Sequence, residues 1–286
     1  MKAAIGRVLQ RERINFVLTN RIPRRLVTQF VGWWSQIEQP VIRDLSLLTF
    51  RLFADDLGLH EAKKKRFVSL HDCFVRELKE GARPIDMDRR IAVSPCDGVI
   101  GASGRIRGTE LIQAKGFTYD LCDLLHDPAL VESYTDGLYV TLRLKANMYH
   151  RFHAVHDCRI RRVTYISGDT FNVNPIATRR IENLFCKNER VVLSGELHSG
   201  HVVTLVAVAA VLVASVRLPF LGALLHLKYR GPNVIDCDAS FRKGQELGWF
   251  QHGSTIIVFA PKGVELCENV VEGKTIRMGQ PLLRLP

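Results

Sequence analysis

The sequence has no apolar run long enough to cross a membrane as a helix. Its longest, "VVTLVAVAAVLVASV" at residues 202–216, falls short of the roughly twenty residues a bilayer core needs. Its valine content reads instead as paired core strands. The seven cysteines, at 73, 96, 122, 158, 186, 237 and 267, are odd in number and form no Cys-x-x-Cys pair. That argues against a disulfide framework or a structural zinc site, and for reduced thiols in a cytosolic setting. No glycine-rich loop precedes a helix as a phosphate cradle, so nucleotide binding has no support. A Gly-x-Ser-x-Gly elbow, internal repeats, low-complexity segments and a recognisable nucleic-acid motif are missing too. "MKAAIGRVLQRERINF" breaks its short apolar stretch with charges, so no signal peptide is expected.

What is present is enough for a full core. The 286 residues are 47% hydrophobic and 24% charged, with a net charge of +11, which is ordinary for a folded chain apart from its sign. The charge is uneven: residues 1–70 hold 13 Lys and Arg against 6 Asp and Glu. A basic excess seeks phosphate, in nucleic acid or at an anionic membrane. The same stretch has helical periodicity, with Leu26, Phe30, Trp33 and Ile37, then, after Pro40, Val41, Leu45, Leu48 and Leu52. Arg21, Arg24 and Arg25 precede the Trp33-Trp34 pair. Arginines for lipid phosphates and tryptophans for the headgroup boundary suit an interfacial helix; packing of the same stripe on the protein's own core is the alternative. "EAKKKRF" at 61–67 reads as a solvated charge run.

The chain divides near residue 70. After residue 90 come short β-rich segments punctuated by glycine, such as "GLYVTLRL", "RIRRVTYISGD" and "STIIVFAP", with one helical insert, "TYDLCDLLHD". Strands without alternating helices predict an α+β protein: a predominantly β domain over 71–286, with an N-terminal amphipathic helical, membrane-associating region over 1–70.

Three polar spots in the β region carry candidate chemistry. In "SPCDGVI", Asp97 precedes Gly98, a pairing that usually marks a turn. In "NMYHRFHAVHDC", His150, His153 and His156 recur at steps of three beside Cys158. A metal reading needs these to converge, which an extended strand prevents because positions three apart face opposite sides; acid–base work is the other reading. In "GWFQHGSTIIVFAP", Gly253, Ser254 and Thr255 open a β-branched run. A turn explains the glycine but not two adjacent hydroxyls. Asp97, a histidine and Ser254 together are the ingredients of a nucleophilic triad, and a glycine before the serine leaves its carbonyl open to attack from the neighbouring hydroxyl.

From about "FVRELKEGARPID" at 74–86 to the C-terminus, the sequence resembles the prokaryotic, pyruvoyl-dependent phosphatidylserine decarboxylase family. The resemblance runs through "PCDGVI", "LIQAKGFTYDLCDLL", "YHRFH", "GDTFNVNP", "NLFCKNERVVL" and "KGQELGWFQHGSTIIVFAP", in that order. His252 stands where the family commonly has Leu, and the Gly253-Ser254 pair is intact. The resemblance implies that Ser254 attacks the Gly253 carbonyl and that the chain splits into a β chain, 1–253, and an α chain, 254–286. The serine becomes a covalent pyruvoyl group, with no metal and no pyridoxal phosphate. Asp97 and His153 then match the self-cleavage partners of Ser254, with His153 as base, and His150 matches the histidine of decarboxylation. Turnover proceeds through a Schiff base between pyruvoyl group and substrate amine. Asn172 and Asn174 are candidate contacts for the lipid head group.

The expected partner is phosphatidylserine in an anionic membrane, at the cytoplasmic face of a bacterial inner membrane, with no nucleic acid; a homo-oligomer is left open. Two other classes compete. One is a serine hydrolase using an intact Ser254. The other is a lipoyl-like carrier over 263–285 with Lys274 as the attachment point, although no hydrophobic-Lys-hydrophobic turn is present there.

Overall fold

The computed structural model describes residues 16, 23–54, 56–114, 117–211, 215–251 and 255–286. Two helices come first. Arg24–Trp34 starts after Pro23, and Pro40–Phe53 starts with proline at its first position, where its missing N–H costs nothing, and with Gln39 Oε1 accepting from Ile42 N at 2.8 Å. Their apolar stripe does not pack on the core. Leu26, Phe30 and Trp33 are 67%, 56% and 61% exposed, and Val41, Leu45, Leu48 and Leu52 run from 69% to 44%. Seven large apolar side chains open to solvent on two adjacent helices form a patch that soluble monomers seldom leave uncovered. Among the described residues no helix is long and apolar enough to cross a membrane.

Polar contacts tie the first helix to the rest of the protein. Arg24 pairs with Asp169 at 2.6 Å and lies over the Phe171 ring at 3.9 Å, and Arg25 donates to Gly168 O at 3.0 Å. Trp34 Nε1 donates to Ser46 Oγ at 3.0 Å, joining the two helices.

The body is mostly sheet, with few helices. An eight-stranded antiparallel sheet runs, edge to edge, Val234–Phe241, Cys158–Ile166, Arg190–Leu197, Val202–Val208, Thr255–Ala260, Leu138–Arg143, Gly98–Arg105 and Thr275–Ile276. A second, four-stranded antiparallel sheet runs Ala223–His226, Ser215–Leu218, Glu246–Phe250 and Arg151–His153. Both contribute to one hydrophobic core. The Thr255–Ala260 strand is buried at every residue, as a continuous apolar run covered on both faces should be. The helical insert is a strand, Phe117–Asp120, followed by the helix Leu121–Leu125, whose N-terminus Asp120 caps.

The valine-rich run forms paired core strands, as expected: Val202–Val208 is paired within the eight-stranded sheet and Ser215–Leu218 within the four-stranded one. One sequence expectation is corrected. The segment proposed as a carrier module is no separate unit. Glu265–Leu266 and Pro281–Arg284 join Ile91–Val93 in a three-stranded sheet, while Thr275–Ile276 edges the eight-stranded one. Lys274, although exposed, is tied by its backbone to Ile100 at 2.9 Å.

Candidate active site

Gly253, Ser254 and His252 lie outside the described residues, but the strands on either side fix where the chain meets the body. Thr255 pairs with Arg143 on one side and Val208 on the other. The row continues from Arg143 to Val99, and from Val208 through Arg190 to Ile166. Asp97 therefore sits just ahead of a strand two places from Thr255, and Glu189 just ahead of a strand two places away on the other flank. At strand spacing each is about 10 Å away in the sheet. The second sheet ends at the same place: Phe250 N donates to His150 O at 3.1 Å, and Gln251 N to Ser215 O at 3.2 Å. Asp97, His150 and the entry to the Thr255 strand thus share one end of the two sheets.

His153 is 7% exposed, at the far end of a three-residue strand from His150, and its backbone N–H donates to Pro95 O at 2.8 Å. That bond sets the Asp97 loop beside it. Its Nδ1 lies 2.9 Å from Gly244 O. A carbonyl only accepts, so Nδ1 carries the proton and Nε2 keeps a lone pair, which faces the Tyr149 hydroxyl at 3.1 Å. Burial pushes the imidazole pKa down to about 4, against the Gly244 bond and the Asp97 charge. The ring is neutral near pH 7 and has the state a base requires. Gly244 has φ +76°, and a Cβ there would come within 2.2 Å of Ile85 Cδ1; only glycine can place this carbonyl.

Asp97 does not hydrogen-bond His153. Arg83 holds it with Nε at 2.8 Å from Oδ1 and Nη2 at 2.6 Å from Oδ2, and Met278 N donates to Oδ1 at 2.9 Å. The hydrogen-bonded Asp–His half of the triad is replaced by Gly244 O on the ring and by Arg83 on the carboxylate. His150 is fully buried, its ring centroid 4.0 Å from that of Phe74. Asn172 Oδ1 accepts from Asn174 N at 2.9 Å, and Asn174 Oδ1 caps the Pro175–Thr178 helix through Ala177 N at 2.8 Å. His156 Nε2 donates to Arg89 O at 2.9 Å, away from the other two histidines. Among the described residues no group of three or more His, Cys, Asp or Glu side chains is arranged to hold a metal.

Sequence reasoning passed over Glu189. It is 2% exposed, and Tyr165 Oη lies 3.0 Å from its Oε1 and 3.0 Å from His226 O. One hydroxyl proton serves only one acceptor; a protonated Glu189 donating to Tyr165 frees the hydroxyl to donate to His226 O, while Glu189 Oε2 has no partner among the described residues. Burial, opposed by the Tyr165 bond and the Arg25 charge, pushes its carboxyl from 4.5 up to about 7. A carboxyl whose folded pKa is raised stabilises most below its unfolded pKa, and that contribution is lost as pH climbs through the folded value. Between pH 4.5 and 7 the wild type should lose on the order of 3 kcal/mol relative to Glu189→Gln. Melting temperatures of the two across that range check this; parallel curves would contradict it.

A model of the family described as phosphatidylserine decarboxylase matches residues 70–284. A phosphatidylserine decarboxylase proenzyme of Haemophilus influenzae is 33% identical over 289 residues, covering 95% of this chain and 96% of its own. The proenzymes of Photobacterium profundum and Vibrio parahaemolyticus are each 34% identical, covering 92% and 94% of this chain and 94% and 98% of their own. With the match running through the Asp97 loop, the histidine strand and the Gly253-Ser254 junction, the chain belongs to the phosphatidylserine decarboxylase family.

Proposed function

We propose that the chain is a proenzyme that cuts itself between Gly253 and Ser254 and then converts phosphatidylserine to phosphatidylethanolamine. The observation that carries this reading is the meeting of Asp97, His150 and the start of the buried Thr255 strand at one end of both sheets. In self-cleavage His153 Nε2 takes the Ser254 hydroxyl proton, and the oxygen attacks the Gly253 carbonyl, exchanging an amide for an ester; β-elimination frees the Gly253 carboxylate, and water hydrolyses the enamine left at position 254 to the ketone with loss of ammonia. Gly244 O keeps the imidazole in the right tautomer, and Asp97 supplies negative charge nearby.

The surroundings suit a ketone at position 254. Thr255 Oγ1, on the adjoining residue, is fully buried with no hydrogen-bond partner among the described residues, which leaves a donor for a carbonyl. A pyruvoyl group at this position would supply a carbonyl reactive toward the substrate amine and a sink for the electrons released with carbon dioxide. His150, buried beside the end of the Glu246–Phe250 strand, gives a proton to the substrate carbon. Asn172 and Asn174 remain head-group candidates because their segment adjoins the first helix through Arg24, Asp169 and Phe171.

The lipid stays in its bilayer, so the enzyme must come to it. The exposed stripe from Leu26 to Leu52, in a region of basic excess, supports residues 1–70 as a peripheral membrane contact and 71–286 as the catalytic domain. One experiment tests activity and attachment together: carbon dioxide release and flotation with vesicles containing phosphatidylserine. Wild type should bind, more weakly in high salt, and release carbon dioxide. Phe30→Ser with Trp33→Ser should weaken binding on the order of 10²-fold, as two large apolar side chains lose their burial, while still cutting itself. Equal binding by wild type and variant would sink the membrane role; no carbon dioxide from a bound, cut protein would sink the activity.

A further inference from the structure

The proposed self-cleavage asks His153 to take up a proton where burial pushes its pKa down to about 4. Negative charge nearby offsets that cost, and Asp97 is the charge at hand. Yet Arg83 grips Asp97 with both arms of its guanidinium. An isolated Arg–Asp pair is neutral overall and offers a neighbouring imidazolium little.

The pair is not isolated. Arg83 Nη2 also meets Glu61 Oε2 at 2.9 Å. Two carboxylates therefore share one guanidinium, with the side chains of Arg83, Asp97 and Glu61 only 6%, 8% and 18% exposed. The trio by itself sums to −1, and the buried Arg76 guanidinium, held by the carbonyls of Leu57 and Cys73, interacts with all three members. Arg277 reaches Glu61 from outside at 3.1 Å, but it is 58% exposed and screened by solvent. Burial alone would push the Glu61 carboxyl up; its bond to Arg83 and the charges of Arg83, Arg277 and His60 outweigh that and hold it below the ordinary range. Glu61 is thus a lasting anion.

The fold goes to some length to bring Arg83 here. The strap at 82–86 lies against Gly244 on one side and Gly279 on the other, and Asp86 N donates to Gly279 O at 2.9 Å. A Cβ at Gly279, where φ is +88°, would come within 2.4 Å of Pro84 O. Backbone at Gly279 and a positive φ at both positions disfavour any side chain. Met278 N, which completes the shell of Asp97, lies in the piece that follows the cut, so the clamp spans both future chains.

We infer that Arg83 is a positioning residue for self-cleavage and that Glu61 is its counter-charge. Arg83 fixes the Asp97 carboxylate beside His153, and Glu61 offsets the arginine so that the charge of Asp97 is still felt at the imidazole. This rests on the proposed roles of Asp97 and His153, and the test separates the two.

The full-length chain and its variants are followed for self-cleavage on a denaturing gel over time, with a thermal melt of each. Arg83→Met strips a buried carboxylate of its cation and should slow cleavage on the order of 10²-fold or more. Arg83→Lys keeps the charge but not the two-pronged grip, so it should recover part of the rate. Glu61→Gln keeps shape and hydrogen bonding while removing charge, and should slow cleavage about tenfold with its melt close to wild type. A role confined to packing would leave the cleavage rate of Glu61→Gln at the wild-type value. Asp97→Asn is the reference: if it cuts at the wild-type rate, the site reading itself fails. If Asp97→Asn is blocked while Arg83→Lys and Glu61→Gln cut as wild type, only the positioning inference is overturned. Those two variants decide the matter even if Arg83→Met does not fold.

Discussion

Replacing Ser254 with Ala should leave one uncut chain with no decarboxylase activity. The expected loss is total because a single atom serves two ends. The Ser254 oxygen is the nucleophile that opens the Gly253 carbonyl, and the residue that carries it is the source of the ketone used in turnover. No other hydroxyl can stand in. Thr255 is next in the chain, but it is the first residue of a fully buried strand, paired on both sides with Arg143 and Val208. Attack by its oxygen on the bond before it would require breaking those pairings. A gel and an assay of carbon dioxide release suffice; an Ser254→Ala protein that is cut or active would contradict the account.

The second large effect separates two histidines. His153→Ala and Asp97→Asn should remain single chains, whereas His150→Ala should cut, at least in part, and then decarboxylate more slowly by ~10²–10⁴, the usual range for a general acid or base. The structure gives the pair different surroundings. His153 has an unprotonated Nε2 that faces the Tyr149 hydroxyl, a tautomer fixed by Gly244 and a low pKa, all suited to accepting a proton once. His150 stacks on Phe74 and its backbone meets Phe250, three residues before Gly253, close in the chain to where the substrate carbon must lie. If His153→Ala matured normally while His150→Ala stayed whole, the two roles would be exchanged.

How far the sequence discloses this protein depends on the range of the interactions. The helices at 24–34 and 40–53 are local and legible from the spacing of Leu26, Phe30 and Trp33, with Pro40 marking the second start. Whether that stripe packs or stays open depends on the rest of the fold, so only the exposures decide it. Residues 202–216 read as paired strands because valine favours them, but which sheet a strand joins is a long-range choice, and the two strands fall in different sheets. Asp97 is visible as a turn and His150 and His153 as a pattern, yet their partners are not. Arg83 reaches Asp97 across 14 positions and Glu61 across 22, and Gly244 approaches His153 across 91. Glu189 looks like any charged residue until Tyr165 and the surrounding sheet bury it. The Gly253-Ser254 junction becomes meaningful only through the family resemblance, since by itself the tripeptide reads as a glycine beside two hydrogen-bonding hydroxyls.

The central claim, that this chain is consumed at its own serine to make the working group, is tested most directly by the intact mass of the purified wild-type protein. The account predicts two species under denaturing conditions, residues 1–253 and residues 254–286. The smaller should resist amine-directed sequencing and react with a carbonyl reagent such as hydroxylamine. The two should stay together until denatured, because Thr255–Ala260 is central in the eight-stranded sheet and Met278 N is bound to Asp97. A single unmodified chain of 286 residues that releases carbon dioxide from phosphatidylserine at full rate would contradict it.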